Sequence, residues 1–464
     1  MHWGVSLLCV FVCFSTIDCD RVYVHPFYLI SYNTTSGCNL VEVQEQLGKT
    51  FIPIPIDSDF TPPYEESLGN KTKEKTQYVD VNFFSDMIYV LGARFYQKLR
   101  EMHKDENIIL SPTEIYKSLL LFYLGASGKT ADDLQILLGL ESPTINSSCN
   151  FRVDGHKVLS TVRFISDPLL PKQADGLLFS KVFCLFSAPG VPLSESFVHN
   201  LGSPDVTFWV RTVDFRNSTQ AAEKINAFVE GKNTHRSKSL LANIDPQTTL
   251  LLATYTQFKA TVKGAFPLKE PQEFWLSSDT KVSVPMIRVT DSFEHKYDEN
   301  LLIIKIPVNK DVFLLLLQPI NGSNLAKAEE GFDLKFPPER RQLLPSREIH
   351  LTLPKFSLKS IYDLQELIVN MNVSTNLGNK ANLTMLSDTS LTVRKIINQQ
   401  LFELSPGGTD PAEDHSGEHN ATTALKITVN GPFLVAVYGS KSKTLLYLGR
   451  VTNPLEGANI HRTK

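Results

Sequence analysis

The sequence lacks an excess of charge of either sign. Its 464 residues carry 46 Lys and Arg against 49 Asp and Glu, for a formal net charge of -3. Without a basic surplus there is little to hold a phosphate backbone, so no nucleic-acid partner is expected. Hydrophobic residues at 42% and charged residues at 20% are ordinary for globular proteins, which excludes a wholly disordered or fibrous chain.

Long apolar runs are also scarce. The clearest one extends from Trp3 to Ile17, is uncharged and stands at the very start of the chain. A short run at this place is typical of a secretory signal peptide, because a membrane span needs about 20 residues. We place the cleavage after Cys19, so residues 1–19 are the predicted signal peptide. The mature protein is expected to be secreted, extracellular and not bound to a membrane.

Cysteine is sparse in the mature chain, where Cys38, Cys149 and Cys184 remain. An odd number in an oxidising compartment predicts one disulfide bond and one leftover thiol. Cys184 lies in the apolar stretch KVFCLF, which favours a buried thiol outside the bridge. There is no CxxC motif and no paired Cys/His spacing, so no metal site is expected.

Signature motifs of catalysis are missing. GxSxG, HExxH and GxGxxG do not occur, and the 11 His are scattered without a local Ser or Cys partner. We therefore predict a protein that is not an enzyme, with no catalytic residues and no cofactor.

Glycosylation sequons, in contrast, are frequent. The Asn-x-Ser/Thr triplets stand at Asn33, Asn70, Asn146, Asn217, Asn321, Asn372, Asn382 and Asn420. One triplet alone is weak evidence, but eight of them behind a signal peptide predict a secreted glycoprotein.

The mature chain changes character near Val79. From Asp20 to about Gln77 it has no sustained periodicity, and it carries four prolines between positions 53 and 63 followed by the polar run GNKTKEKT. An extended, loop-rich tail is predicted there. After Val79, apolar residues from Phe84 to Leu99 recur at helical spacing, which predicts a helix.

Two further helix starts follow. Ser111-Pro112-Thr113-Glu114 supplies an N-cap, a proline at the first helical position and a capping-box acid, and this helix is expected to end near Gly125. A second cap, from Thr130 to Asp133, opens a helix that stops before Gly139.

The second half of the chain is rich in β-branched and aliphatic residues. Strands are predicted at 249–262, 282–289, 301–308, 311–318, 347–358 and 424–438. GSKSKT at 439–444 predicts the turn of a hairpin. Helices followed by many strands indicate an α+β fold with largely antiparallel sheets. The polar, acidic segment 405–423 is predicted to be a long exposed loop.

Three motifs in this body resemble the serpin superfamily. They are NIILSPTEIYKSLLLFYLGASGKTADDLQILLGL at 107–140, LTLPKFSLKSIYDL at 351–364 and NGPFLVAVYGSKSKTLLYLGRVTNP at 430–454, in the family's order. The resemblance implies a serpin domain over 79–456, with helices and three mainly antiparallel β-sheets. It also implies a reactive-loop equivalent at 405–423, an N-terminal extension at 30–78 and a C-terminal tail at 457–464.

The start of the mature chain resembles the angiotensin family of peptide hormones. The eight residues are Asp20, Arg21, Val22, Tyr23, Val24, His25, Pro26 and Phe27, and Tyr28 with Leu29 would complete a decapeptide at 20–29. Pro26 biases His25 toward extended geometry. Within a folded domain, the same residues could instead form an edge strand.

The two resemblances together imply a prohormone that is a substrate. The aspartic protease renin would cut between Leu29 and Ile30, and a converting dipeptidyl carboxypeptidase would cut between Phe27 and Tyr28. The trimmed peptide 20–27 would act on an angiotensin receptor as a vasoconstrictor that regulates blood pressure and salt balance. The resemblance also implies a Cys38–Cys149 disulfide bond in a monomeric protein.

The hinge of the reactive-loop equivalent departs from inhibitory serpins. Gly408 and Thr409 match the family, but Pro411 cannot donate to a sheet ladder, and Glu413 and Asp414 would bury a charge on insertion. A non-inhibitory serpin is therefore predicted. The alternatives are a secreted serpin protease inhibitor and a carrier globulin for a small apolar ligand.

Overall fold

The computed structural model describes residues 25–31, 48–58, 80–141, 152–166, 176–201, 207–232, 241–298, 300–320, 324–330, 344–371, 373, 377–378, 381–408 and 424–455. The helices are α1 (Pro26–Ile30), α2 (Val81–Met102), α3 (Pro112–Gly125), α4 (Gly128–Leu137), α5 (Gly155–Ser166), α6 (Glu195–Leu201), α7 (Ser218–Lys232), α8 (Leu325–Glu330) and α9 (Leu364–Asn370). The strands are β1 (Thr50–Phe51), β2 (Ile108–Leu110), β3 (Leu177–Ser187), β4 (Leu193–Ser194), β5 (Thr207–Thr212), β6 (Leu250–Val262), β7 (Phe266–Pro267), β8 (Gln272–Trp275), β9 (Lys281–Val284), β10 (Met286–Asp298), β11 (Leu301–Pro307), β12 (Val312–Pro319), β13 (Leu344–Pro354), β14 (Phe356–Asp363), β15 (Val393–Pro406), β16 (Leu425–Thr428), β17 (Phe433–Gly439) and β18 (Leu445–Val451).

Most strands join two large sheets. One is five-stranded with the order β14-β15-β6-β3-β5, and one is nine-stranded with the order β16-β13-β10-β11-β12-β17-β18-β2 and β7 paired to β10. The pairs β15–β6, β3–β5 and β13–β16 are parallel, and the other pairs are antiparallel. The predicted α+β class with largely antiparallel sheets is confirmed.

The strands of the nine-stranded sheet fall into two groups that share one long strand. Among the described strands, the long β10 pairs with β13 from Met286 to His295, with a register shift between Phe293 and His295, and it pairs with β11 from Glu294 to Asp298. One continuous strand therefore joins two halves into the nine-stranded sheet. Beside the two large sheets, β1 pairs with β4 and β8 with β9.

Most predicted elements appear near their expected places. Helix α2 covers the periodic apolar residues, α3 begins at Pro112 and ends at Gly125, and the turn at 439–444 connects β17 to β18. The predicted strand at 347–358 is wrong as a single strand. It is two strands in two different sheets, because the chain leaves β13 at Pro354 and enters β14 at Phe356.

The predicted caps are only partly right. Ser111 occupies the N-cap position of α3, but its hydroxyl donates to the Leu446 carbonyl at 2.8 Å and makes no cap hydrogen bond. Helix α4 begins at Gly128 rather than at Thr130. The Thr130 hydroxyl accepts a hydrogen bond from the Asn382 N–H at 2.9 Å. Gly128 has a φ of 55°, a left-handed value that favours glycine where the chain turns into this helix.

The five-stranded sheet is covered on both faces. Val182, Cys184 and Phe186 of β3 pack with Ala222 and Ile225 of α7 in one cluster. The alternate residues of β3 join the main core, which also holds apolar side chains of α2, α3 and α5. Alternation along the strands places successive side chains on opposite faces, so one sheet separates two apolar layers.

Candidate functional site

The segment predicted to be cleaved folds as the short helix α1. His25 is its N-cap, with φ of -59° and ψ of 133°, and Pro26 opens the first turn. The extended geometry predicted for His25 is confirmed. The extended tail predicted from Asp20 to Gln77 is wrong for Pro26–Ile30, because proline is also pre-organised for the first turn of a helix. The Nδ1 atom of His25 accepts a hydrogen bond from the Phe27 N–H at 3.2 Å and closes that turn.

The side chains of α1 divide between core and surface. Phe27 and Ile30 are fully buried in the main core, whereas Tyr28 is 41% exposed and Leu29 is 49% exposed. Residues three apart lie on one face of a helix, so the helical geometry itself buries Phe27 and Ile30 together. Burying each of them is worth about 1.5–3 kcal/mol. The predicted scissile pair is therefore split between one exposed and one buried side chain.

The backbone beyond this pair is tied to the residues that precede helix α5. The Asp154 N–H donates to the Ile30 carbonyl at 2.7 Å, and Ser31 forms an antiparallel bridge with Val153. Asp154 also caps α5, since its Oδ1 atom accepts from the His156 N–H at 3.1 Å. A protease that binds an extended substrate must first draw α1 away from these contacts.

Sequence reasoning missed the residues that hold α1. Val153 and Asp154 lie more than a hundred residues from Ile30 in the chain, and no local pattern pairs them with it. The only local signal was Asp154-Gly155, a typical start for a helix.

The other predicted processing residues divide between described and undescribed parts of the chain. Asp20, Arg21, Val22, Tyr23 and Val24 lie outside the described residues, and so do Cys38 and Cys149. Cys184 is 1% exposed in β3, which confirms its predicted burial.

Two of the predicted glycosylation sites are described. Asn217 and Asn382 are both exposed. At the start of α7, the Oδ1 atom of Asn217 accepts a hydrogen bond from the Gln220 N–H at 3.2 Å. A glycan would attach to the side-chain nitrogen of Asn217, which this hydrogen bond does not use. The six sites outside the described residues are Asn33, Asn70, Asn146, Asn321, Asn372 and Asn420.

The start of the reactive-loop equivalent is held at the end of the five-stranded sheet. β15 pairs with β6 from Val393 to Pro406. Beyond the ladder, the Gly407 N–H donates to the Val262 carbonyl at 3.0 Å and the Gly408 N–H to the Ala265 carbonyl at 2.8 Å. Thr409, Pro411, Glu413 and Asp414 lie outside the described residues.

A buried ion cluster lies beneath the same sheet. Glu114 of α3 pairs with Lys181 of β3 and, at 3.6 Å, with Lys117, whose Nζ atom donates to the Ser166 hydroxyl. Burial raises the pKa of Glu114, but the two ammonium groups outweigh burial and hold that pKa below its ordinary value. Burial lowers the pKa of Lys181 to about 7, against the opposing pull of Glu114. Because the Glu114 carboxylate pairs with Lys117 and Lys181 instead of capping α3, the predicted capping role is wrong.

Within the described part of the chain, no group of three His, Cys, Asp or Glu side chains could hold a metal ion. None of the described helices combines the length and the apolar character needed to cross a membrane.

Most of the chain matches one known protein family. The family model described as Serpin (serine protease inhibitor) matches residues 88–454. Angiotensinogen of Bos taurus is 35% identical over 97% of this chain and 98% of its own length. Angiotensinogen of Homo sapiens is 34% identical over 98% of this chain and 99% of its own length.

Solved structures share the fold at lower identity. Human thyroxine-binding globulin in complex with thyroxine superposes with a TM-score of 0.68 and 21% identity, over 81% of this chain and 99% of that one. Mouse protein-Z dependent protease inhibitor gives a TM-score of 0.68 and 22% identity, over 81% of this chain and 98% of that one. At this identity, the likeness establishes the fold alone.

Proposed function

The chain belongs to the serpin family, with the angiotensinogens as relatives along nearly its whole length, and we propose that it is a secreted, glycosylated prohormone. In this proposal it is the substrate of renin, which cuts between Leu29 and Ile30 and releases residues 20–29. A converting dipeptidyl carboxypeptidase then cuts between Phe27 and Tyr28. The product, residues 20–27, acts on an angiotensin receptor as a vasoconstrictor.

One observation carries the proposal. The serpin model leaves the first 87 residues unmatched, because its match begins at residue 88. The angiotensinogen of Bos taurus covers 97% of the chain, and the remaining 3% of 464 residues is only about 14 residues. The likeness to angiotensinogens therefore extends far into the N-terminal segment, where the predicted hormone and scissile bond lie.

The contacts of α1 suggest how release proceeds. Cleavage needs an extended backbone, so Phe27 and Ile30 leave the core and the Asp154–Ile30 hydrogen bond breaks. Local openings of this kind are a normal part of the native ensemble. Withdrawing two buried side chains at about 1.5–3 kcal/mol each keeps the open form rare. The folded protein should therefore be cut more slowly than a free peptide of residues 20–33.

The deciding experiment is mass spectrometry of the purified protein after incubation with renin. We expect a peptide that starts at Asp20 and ends at Leu29, together with one new N-terminus at Ile30. Release of a peptide that ends elsewhere would contradict the proposal. So would no release from the folded protein under conditions in which renin cuts the free peptide of residues 20–33.

The second cleavage depends on the first. A dipeptidyl carboxypeptidase needs a free carboxylate after Leu29, and in the intact chain that residue continues into Ile30 within α1. Once released, a ten-residue peptide cannot bury a core and folds only on its partner. Tyr23 and Phe27 would then supply aromatic anchors to the receptor.

The disulfide bond of the proposal joins Cys38 to Cys149. The antiparallel bridge between Ser31 and Val153 supports this pairing, because Cys38 follows Ser31 and Cys149 precedes Val153. In an antiparallel pair, the chain after one residue and the chain before its partner run to the same side, which is the geometry that this pairing needs. The loop of roughly 110 residues would contribute about 4–5 kcal/mol in the chain-entropy model.

We expect peptide mapping without reduction to recover a fragment in which Cys38 is linked to Cys149. Cys184 should react with an alkylating reagent only after unfolding, because it is buried between β3 and α7. Alkylation of the sample before and after denaturation is the control. A fragment that links Cys38 to Cys184 would overturn the pairing.

Protease inhibition is the weaker alternative for a serpin. Insertion of the reactive loop would place a new strand between β15 and β6, which pair directly with each other from Val393 to Pro406. The inserted strand would carry Pro411 and the adjacent charges of Glu413 and Asp414 into the interior of the sheet.

We expect no covalent complex with serine proteases, and little thermal stabilisation when the chain is nicked within 409–423. Calorimetry of the intact and the nicked protein measures the change. The matched control replaces Pro411, Glu413 and Asp414 with Ala, and nicking of this variant should raise the melting temperature more than nicking of the natural chain. A rise of tens of degrees in the natural chain would support inhibition instead.

A carrier function has no specific support in the described residues. Thyroxine-binding globulin shares the fold, but at 21% identity its ligand does not transfer to this chain. Extraction of purified protein with organic solvent would detect a bound apolar molecule.

A further inference from the structure

Helix α5 is tied to helix α3 at both of its ends. At its last residue, the Ser166 hydroxyl accepts a hydrogen bond from Lys117. Just before its first residue, the Tyr123 hydroxyl donates to the Val153 carbonyl at 2.7 Å and accepts from the Val153 N–H at 3.1 Å. One phenol therefore satisfies both backbone groups of Val153.

The same stretch of backbone holds the predicted scissile segment. Val153 forms the bridge with Ser31, and the next residue, Asp154, donates its N–H to the Ile30 carbonyl. The chain also lies very close to Tyr123 here. A Cβ atom at Gly155 would stand 3.1 Å from the Tyr123 ring, so the glycine allows the close approach. The Asp154–Ile30 hydrogen bond and the Val153–Ser31 bridge together form a clamp on α1, and Tyr123 binds Val153 within this clamp.

The burial of these groups makes the phenol important. Tyr123 is 6% exposed and Val153 is 2% exposed. We call the protein with α1 packed on the core the closed form. If the hydroxyl were removed, the Val153 N–H and carbonyl would stay buried in this form without the phenol as a hydrogen-bond partner. Opening of the segment would give both groups access to water. Loss of the hydroxyl therefore favours the open form over the closed form.

We propose that Tyr123 is a positioning residue for release of the N-terminal peptide. Its hydroxyl fixes Val153 and Asp154 in the clamp that holds Ser31 and Ile30. It thereby limits how often the Leu29–Ile30 bond becomes available to a protease. This inference rests on the proposed function. Tyr123 touches neither the scissile bond nor the protease, and it acts through Val153.

The test compares Tyr123→Phe with a matched variant in the same helix. Tyr116 is fully buried in α3, and its hydroxyl donates to the Leu138 carbonyl at 3.1 Å. Tyr116→Phe therefore removes a buried phenol hydrogen bond without touching Val153. Hydrogen exchange is followed by mass spectrometry in a fragment that covers residues 25–31, and renin cleavage is followed as kcat/KM.

For Tyr123→Phe, we expect exchange in this fragment to become about 10-fold faster, as the loss of the two buried hydrogen bonds to Val153 implies. The value of kcat/KM should rise by a similar factor. Tyr116→Phe should change either quantity less than about 2-fold, although it costs a comparable buried hydrogen bond.

Three results would overturn the proposal. One is unchanged exchange in Tyr123→Phe, and another is an equal increase in Tyr116→Phe, which would indicate a general loss of stability. The third is faster exchange without faster cleavage, which would show that the clamp does not limit release. The hydrogen-exchange measurement does not depend on cleavage by renin, so it decides the role of Tyr123 even if renin fails to cut the wild-type chain and the proposed function falls.

Discussion

The Leu29→Asp variant should release residues 20–29 at least about 100-fold more slowly than the wild type, because a carboxylate would have to enter an apolar subsite of the protease without a partner. Folding should be spared, since the Leu29 side chain is 49% exposed on α1. Substitutions at such surface positions usually change stability by about 0.5 kcal/mol or less. The measurement is the initial rate of peptide release, by mass spectrometry, with a thermal melt of each sample.

A matched control separates the subsite from a general effect of charge on the N-terminal segment. Ile52 is 60% exposed in the described part of the same extension, outside the predicted decapeptide. Ile52→Asp should melt and release peptide like the wild type. Cleavage of Leu29→Asp at the wild-type rate would contradict Leu29–Ile30 as the scissile bond. An equal loss of release in Ile52→Asp would show a general effect of charge rather than an effect of the subsite.

Replacing Glu114 with Ala should lower the free energy of unfolding by about 3–5 kcal/mol. Glu114 is 1% exposed, and it is the anion that two buried ammonium groups, Lys117 and Lys181, face. Its removal leaves two lysines beneath the five-stranded sheet with no carboxylate between them, so each must stay charged without this partner or release its proton. Chemical denaturation near neutral pH measures the loss.

The control for this variant is an exposed ion pair. Glu273 and Lys281 pair on the β8–β9 hairpin with side chains that are 61% and 49% exposed. Glu273→Ala should cost less than about 1 kcal/mol, because exposed pairs are screened by water. A loss of similar size in both variants would contradict a special role for the buried cluster.

The cluster also predicts a pH dependence of stability. The folded-state pKa of Lys181 is about 7, below the value of about 10.4 for an unperturbed lysine. Between these values the unfolded chain binds a proton that the folded chain releases, so stability rises with pH across this window. Below about pH 7 the folded protein must carry the extra buried charge. Its stability is lowest on that side of the window.

We expect unfolding experiments to give about 2 kcal/mol more stability at pH 9 than at pH 6.5 through this lysine. Lys181→Met removes the titrating group and keeps an apolar chain of similar length, so it should remove this part of the rise. Other groups titrate in both proteins, and the difference between the two pH profiles isolates Lys181. Identical profiles would contradict the assignment.

Local sequence signals were reliable where short-range physics decides the structure. The apolar spacing from Phe84 to Leu99 predicted helix α2, because residues three and four apart share a helix face. The turn residues at 439–444 predicted the β17–β18 hairpin for the same kind of reason. The serpin resemblance rested on motifs at 107–140, 351–364 and 430–454, and the family match over 88–454 confirms it.

The same signals failed where a distant partner competes with a local one. Ser111 and Glu114 have the spacing of a capping box, yet the serine hydroxyl bonds the Leu446 carbonyl and the glutamate pairs with Lys181. Both partners come from other parts of the chain. A buried charge gains more from a buried opposite charge than from a backbone N–H at a helix end, so tertiary contacts override the local rule.

The sequence by itself determined that residues 20–30 carry an angiotensin-like peptide followed by an apolar pair, because those properties belong to the residues alone. Only the tertiary structure decided that Leu29 faces solvent while Ile30 lies in the core. That difference follows from the helical turn of α1 and from two residues that the fold brings from far along the chain. Asp154 holds the Ile30 carbonyl, and Val153 bridges Ser31. Access to the proposed scissile bond depends on contacts between distant segments, and no local pattern encodes them.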